Sequence, residues 1–160
     1  MGQMVFVPLS RSRARGLRES GVLADEQAGH AATESLMQAH DYDTSTLEDA
    51  EFAALHYAGV QALDDSDEPT RLVLAADLKP SQVSEADADP YGRVTVRDLR
   101  WADVQALFSD EETAAAAVAI ARAAAAGLAF DDVLALPAVD ALLEEHDLLW
   151  FAPEELDRLP

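Results

Sequence analysis

Four arginines lie close together near the beginning of the chain, at positions 11, 13, 15 and 18. Ser10 precedes them and is of a type that caps helices, so the arginines would occupy the N-terminal turns of a helix whose free N–H groups attract anions. Positive side chains at this end oppose the helix dipole, and a bound anion would remove that conflict. We therefore predict a small-anion site, for example for phosphate, at Ser10, Arg11, Arg15 and Arg18, with Arg13 projecting elsewhere.

A second interpretation of the same cluster needs no ligand. The protein has 31 acidic residues and only 11 lysines and arginines, so carboxylates are available to pair with every arginine. Surface balance of this kind is the alternative to the anion site. If the anion site exists, a phosphorylated metabolite is the class of ligand to expect, and the protein would be a binding protein or a small enzyme.

His146 is the histidine whose position best suits proton transfer. Val139, Leu142, Leu143 and His146 follow the i, i+3, i+4, i+7 spacing of one helix face. Asp147 is placed to orient one ring nitrogen, and a histidine supported by a carboxylate is the usual general base. The alternative is a packed or capping histidine, because a helix C-terminus favours a cationic imidazole.

Other catalytic and cofactor motifs are missing from the sequence. The seven glycines are scattered and form no phosphate-binding loop, and the chain has no Gly-x-Ser-x-Gly nucleophile elbow. The segment His40-Asp41-Tyr42-Asp43 has the residue types of a metal site, but neighbouring aspartates are expected by chance in so acidic a chain. We interpret that segment as a solvated loop and predict neither a metal nor a cofactor.

Composition sets the broad class. The chain has 160 residues, 49% of them hydrophobic, which suits one domain over residues 1–160. It has no cysteine, no apolar run long enough to span a membrane and no signal sequence, so we expect a soluble, cytoplasmic protein. The net charge of −20 should repel nucleic acid and anionic membranes. We expect an unidentified protein partner and a monomer or weak homo-oligomer.

Turn and capping residues divide the first half of the chain. Met4–Leu9 is a β-rich apolar run, and the following helix should end at Gly21. Ser45 with Glu48 forms a capping box for the clearest helix, whose packed face would carry residues 52, 55, 59, 62 and 63. Residues 64–69 are predicted to form an exposed acidic loop.

The second half contains two strands of different character. Leu72–Ala76 is apolar throughout and predicts a central strand, whereas Arg93–Arg97 alternates and predicts an antiparallel or edge strand. Residues 81–91 are interpreted as a mobile loop. Ser109 with Glu112 predicts a second capping box, before an alanine-rich helix ending at Gly127. Pro137 and Pro153 mark two further helix starts, and the apolar run 148–151 predicts Trp150 as a core anchor.

These elements predict an α/β or α+β fold. We expect a single-domain sandwich in which a mixed sheet of about four to five strands packs against helices.

The two ends of the chain resemble those of an uncharacterised actinobacterial protein family. The opening run is Val5-Phe6-Val7-Pro8-Leu9-Ser10, and the closing run is His146-Asp147-Leu148-Leu149-Trp150-Phe151-Ala152-Pro153-Glu154-Glu155-Leu156. The central Val73-Leu74-Ala75-Ala76-Asp77 also fits the pattern. Ser10 and Phe151 depart from it, standing where a threonine and a tyrosine are expected. The resemblance implies one cytoplasmic domain and carries no activity or catalytic residue.

The sequence leaves three functions open. The first is a non-catalytic interaction or regulatory module that uses an acidic face or the regions of Trp101 and Trp150. The second is an anion-binding protein or enzyme that uses the arginine cluster. The third is an acidic nucleic-acid mimic that occupies the groove of a basic protein. Whether the protein is an enzyme is not decided by its residues.

Overall fold

The structure, a computed structural model, describes residues 2–64 and 68–160. Its nine strands in chain order are β1 Gln3–Pro8, β2 Val22–Leu23, β3 Gln27–Ala31, β4 Leu72–Leu78, β5 Val83–Glu85, β6 Arg93–Val96, β7 Leu99–Arg100, β8 Val104–Ser109 and β9 Leu149–Phe151. Seven of them form the central sheet in the order β5-β6-β3-β1-β4-β8-β9, and β2 pairs with β7 in a separate ribbon. Every pair of neighbouring strands is antiparallel.

Six α-helices accompany these strands in the part of the chain that the structure describes. They are α1 Arg11–Ser20, α2 Glu34–Ala39, α3 Leu47–Gln61, α4 Ala115–Ala125, α5 Phe130–Leu134 and α6 Pro137–Glu145. Short 3-10 helices cover Thr44–Thr46, Ala62–Asp64, Pro80–Gln82, Trp101–Asp103, Glu112–Ala114 and Pro153–Arg158. None of the described helices has the length and apolar character needed to cross a bilayer.

The fold is α+β, and the expected sheet was wrong in two respects. It has seven strands rather than four to five, and it is antiparallel rather than mixed. The additional strands include the three-residue β5 and β9. Such segments are too short for alternation of side chains to show in the sequence, and β5 lies in the stretch that we interpreted as a mobile loop.

The central position of β4 was predicted correctly. It lies between β1 and β8, and its alternating side chains enter two separate apolar clusters. Leu72 and Leu74 face the cluster that α1 and the C-terminal segment cover. Val73 and Ala75 face the cluster that α3 covers. A strand that is covered on both faces must be apolar throughout, and Leu72–Ala76 meets this requirement.

The first helix also has the predicted boundaries. Ser10 is its N-cap, and the Ser10 hydroxyl accepts a hydrogen bond from the N–H of Arg13 at 3.2 Å. Gly21 ends the helix at φ 85°, in the left-handed region that favours glycine. Each signal is a hydrogen bond between residues only three or four positions apart, Ser10 with Arg13 and Gly21 with Leu17, so local sequence determines both helix ends.

Helix α3 forms where expected, and most of its predicted packed face is buried. Gly59, Ala62 and Leu63 are buried and Leu55 packs partly buried against the core. Phe52 departs from the prediction, because it is 64% exposed, and Ala50, Ala54 and Ala58 are fully buried instead. Alanines at this spacing let the helix approach the sheet closely, and larger apolar residues lie on the flank. The capping box also differs, because Asp43 and Thr46 form it two residues earlier than the predicted pair Ser45 and Glu48, on the 3-10 helix that leads into α3.

Two further expectations in the second half were wrong. Ser109 caps no helix; it ends β8, and its hydroxyl donates to the carbonyl of Arg71 at 2.7 Å. The alanine-rich helix instead begins at Ala115, after a 3-10 turn. Trp150 is not a core anchor, because 61% of it is exposed. Of the predicted acidic loop, residues 65–67 lie outside the described residues.

Candidate functional site: a cleft beside the last strand

The arginines of α1 lie against carboxylates of the protein itself. Arg15 and Arg18 both bind Asp157 in the C-terminal 3-10 helix, at 3.2 and 3.0 Å. Arg13 binds Asp25 at 2.9 Å, on a different side of the helix, as the spacing predicts. All three pairs are partly exposed, so each adds little to stability.

Arg11 and Ser10 occupy the N-terminal turn of α1 together with another acid. The backbone N–H of Arg11 donates to Oε1 of Glu68 at 3.1 Å. Its guanidinium donates to Oγ1 of Thr70 at 2.7 Å and to the carbonyls of Leu159 and Pro160. Glu68 thus lies where a bound anion would lie. Anion binding at Ser10, Arg11, Arg15 and Arg18 stays a prediction, and it would require Glu68 and Asp157 to be displaced.

His146 directly follows α6 and caps it. Its backbone N–H donates to the carbonyl of Leu142 at 3.0 Å, and its ring Nδ1 lies 3.1 Å from Oε1 of Glu111. The ring partner in the structure is therefore Glu111 rather than the predicted Asp147. Glu111 precedes His146 by 35 residues, so local sequence could not identify it. The role of His146 and Asp147 as a general base stays a prediction.

A buried ion pair that was not predicted from the sequence lies beneath His146. Asp110 accepts three hydrogen bonds from Arg71: from the backbone N–H at 2.8 Å, from Nε at 3.0 Å and from Nη2 at 2.6 Å. The side chains are 1% and 0% exposed. Nη2 also donates to the carbonyl of His146 at 3.3 Å. A bidentate pair so fully buried fixes the start of β4 to the end of β8.

A cleft of about 270 Å³ opens above this ion pair, between α3, the end of α6 and the segment that leads into β9. Four apolar side chains and four polar ones share its wall. The lining residues are Phe52, Leu55, His56, Arg71, Leu143, His146, Asp147 and Leu148. Sequence analysis pointed to two of them, His146 and Asp147, and the fold adds the two polar residues Arg71 and His56.

His56 is held in its neutral form. Burial lowers its pKa, and the nearby charge of Arg71 lowers it further, while Asp147 acts in the opposite direction. At neutral pH the cleft therefore presents one neutral imidazole from α3, the edge of a guanidinium at its floor and a carboxylate at its rim. This set can bind polar groups, but it holds no nucleophile beside a base.

Beside the cleft, β9 is an edge strand of the central sheet. It pairs with β8 on one side, and no other described strand lies on its far side. Trp150 is 61% exposed and Leu149 is 42% exposed, whereas Phe151 packs against the core. The exposed Trp150 lies opposite Phe108 across the β8–β9 pair.

A separate polar and aromatic group surrounds His30, which is 1% exposed. Its Nδ1 donates to the carbonyl of Tyr91 at 2.8 Å, and its Nε2 is buried without a partner among the described residues. The guanidinium of Arg93 lies over the rings of Tyr91 and Phe130, with 5.5 and 5.3 Å between its central carbon and the ring centroids. Asp89 binds Arg93 at 2.5 Å. The position over the two rings, where a cationic ligand could bind, is therefore already occupied by an arginine of the protein itself.

Comparison with known proteins confirms the expected resemblance to an uncharacterised family. A family of unknown function, DUF6912, matches residues 4–159. No curated protein and no solved structure matches the chain. The match includes both β1 and β9, so the cleft and the edge strand lie within the family's domain, and the chain belongs to DUF6912.

Proposed function

We propose that the protein is a non-catalytic interaction module, a monomeric cytoplasmic domain that binds an extended, basic segment of a partner protein along the free edge of β9. The observation that carries this proposal is Trp150, a large aromatic residue left 61% exposed on a strand whose outer edge is free among the described residues. Exposed tryptophans are enriched at the centres of protein interfaces.

The backbone supports the mode of binding. An edge strand presents unpaired N–H and C=O groups, which a second extended chain can satisfy by adding a strand. On β9 these groups lie between Leu149 and Phe151, with Leu149 and Trp150 offering apolar contact on opposite faces. Strand addition therefore gives a partner both hydrogen bonds and two side-chain contacts.

Charge supports the chemistry of the partner. Glu144, Glu145 and Asp147 precede β9 and are exposed, and Glu154 follows it. The register pairs Ser109 with Leu149, which brings the exposed Glu111 and Glu112 to the same end. A partner segment that alternates lysine or arginine with apolar residues would complement this edge. Nucleic acid and anionic lipid would be repelled by it.

The test is a titration of a short peptide that alternates lysine and valine, followed by isothermal titration calorimetry, whose signal does not depend on a tryptophan. We expect saturable binding to the wild-type protein and at least tenfold weaker binding to Trp150→Ser, because the variant loses the central apolar contact. Trp101→Phe is the matched control, since Trp101 packs partly buried on the other side of the sheet; it should bind like the wild type.

A second peptide separates strand addition from charge alone. The same sequence with alternate amides N-methylated keeps its charge but cannot complete the ladder. We expect it to bind at least tenfold more weakly. Equal binding of the two peptides, or unchanged binding by Trp150→Ser, would show that the acidic surface attracts cations without using β9.

A further inference from the structure

We infer that the cleft beside β9 is a binding site for a small, uncharged ligand that places a carbonyl-type oxygen on Nη1 of Arg71 and an apolar, planar body against Phe52, Leu55 and Leu148. This site is distinct from the edge of β9, and the inference does not depend on a partner docking there.

Arg71 supplies the polar anchor. Its guanidinium has five N–H donors. Asp110 takes those of Nε and Nη2, and the carbonyl of His146 shares Nη2. Nη1 donates to no acceptor in the described residues, although Arg71 is 1% exposed and lines the cleft. An acceptor from a ligand would therefore complete the hydrogen bonding of a buried cation, and such charge-assisted bonds are the stronger ones.

The local charge favours a neutral acceptor over an anion. Asp110 already balances Arg71, and Glu111 lies against His146. Asp147 adds a further carboxylate on the cleft wall, and His56 contributes no positive charge because its pKa is lowered. A carboxylate or phosphate would add to this negative excess in a partly desolvated site, whereas an amide or ketone oxygen would not.

The shape of the cleft limits the ligand to a small one. A volume of about 270 Å³ lies just below the range usual for drug-sized ligands. Helix α3 contributes Phe52, Leu55 and His56 to the wall, and Gly59 continues that row by one turn. A side-chain carbon at Gly59 would lie 3.4 Å from Nη1 of Arg71 and 3.1 Å from Cδ1 of Leu148. The missing side chain thus leaves Nη1 open to a ligand.

Three probes of similar size and different charge test the inference. Benzamide is neutral and carries a carbonyl acceptor, benzoate is anionic, and benzylamine is cationic with no carbonyl. In two-dimensional NMR titrations, benzamide should saturate with roughly millimolar affinity, as expected for so small a ligand, and shift the Arg71 Nε resonance and the amides of cleft residues. Both charged probes should bind at least about fivefold more weakly. Benzoate is repelled by the carboxylates around the cleft, and benzylamine offers no acceptor to Nη1 and brings a positive charge next to the guanidinium.

Two glycine variants provide a matched pair. Gly59→Ala places a methyl group beside Nη1, at a helix position where alanine is favoured over glycine, and the side chain of Leu148 must shift by a few tenths of an ångström to admit it. It should weaken benzamide binding about tenfold. Gly16→Ala makes the same change in α1, where nothing lies within 4 Å of the added carbon, and should change the affinity less than twofold.

Several results would overturn the inference. One is the absence of saturable shifts with benzamide at concentrations up to about 10 mM. The others are tighter binding of benzoate than of benzamide and equal weakening of benzamide binding by Gly59→Ala and Gly16→Ala. Thermal denaturation checks that both variants are folded, and unchanged binding by a folded Gly59→Ala would equally place the probe away from Nη1. None of these outcomes involves the lysine–valine peptide, so the cleft and the edge of β9 are tested separately.

Discussion

The arginines of α1 and Arg71 all pair with carboxylates, but the pairs on α1 are exposed to water and the pair of Arg71 is buried. Arg13, Arg15 and Arg18 bind acids that are partly exposed, and water can replace either partner. Arg71 and Asp110 are fully buried, so each depends on the other. Clustering made the first group conspicuous in the sequence, while the pair with the larger energetic effect consists of isolated residues 39 positions apart.

The largest expected effect comes from breaking the buried pair. Arg71→Ala would leave Asp110 charged, buried and unpaired, which should lower the free energy of unfolding by about 3–5 kcal/mol. The double variant Arg71→Met with Asp110→Asn removes both charges, keeps an acceptor for the backbone N–H of residue 71 and should recover most of that loss. Urea denaturation measures both. A single variant that loses less than about 1 kcal/mol would show that water reaches the pair, as it does on α1.

His30 is a second buried ionisable side chain, and unlike Arg71 it can change its protonation state near neutral pH. Burial lowers its pKa, and Arg93 opposes its protonation as well. The folded state therefore binds a proton less readily than the unfolded chain. Stability should be at its full value above about pH 6.5 and fall as the pH drops below that value, towards the lowered pKa of the folded state.

Urea denaturation between pH 7.5 and 5 measures this loss, with His30→Gln as the reference because glutamine does not titrate. His56 changes stability in the same direction and is present in both proteins, so the difference between them belongs to His30. Parallel curves for the two proteins would mean that His30 accepts its proton without cost.

Trp150 provides a smaller effect that separates binding from folding. Because it is largely exposed, Trp150→Ala should change the free energy of unfolding by less than about 1 kcal/mol, far below the cost of removing a buried aromatic residue. Thermal and urea denaturation would check this. A loss of about 3 kcal/mol or more would put Trp150 in a core and remove the basis for docking at β9.

The smallest expected effects belong to the arginines of α1. Arg15→Ala should cost less than about 0.5 kcal/mol, since the pair with Asp157 is exposed and Arg18 also binds that acid. Phosphate and chloride at equal ionic strength should stabilise the protein equally. Specific stabilisation by phosphate, abolished in the double variant Arg11→Ala with Arg15→Ala but retained in Arg13→Ala, would instead establish the anion site.

The features that could be predicted from the sequence are those determined by residues close together along the chain. Ser10 and Gly21 predicted both ends of α1 because a cap and a left-handed turn act within a few residues. Phe52 misled the interpretation of α3, because hydrophobicity favours a large side chain while the sheet accepts only alanines at close range.

The site residues show the same limit. His146 and Asp147 were found because they are adjacent, and both line the cleft. Arg71 and Asp110 meet only after β4 and β8 pair, and Glu111 reaches His146 from the same turn. The one sign of a buried ion pair in the sequence was Arg71, which directly precedes a strand that is apolar on both faces. Burial beside such a strand leaves a charged side chain without water, so it requires a partner of opposite charge.

The two outer strands of the sheet have a consequence for handling the protein. Both β5 and β9 end the sheet without a described neighbour, and a sheet with open edges can grow by adding a second molecule. The charge of −20 keeps copies apart at neutral pH through long-range repulsion. Near the isoelectric point, at about pH 4.2, enough carboxylates are protonated to cancel the net charge and with it this repulsion, while the edges stay open. Precipitation on acidification is therefore expected to begin with pairing between the open sheet edges of two molecules, which the charged carboxylates prevent at neutral pH.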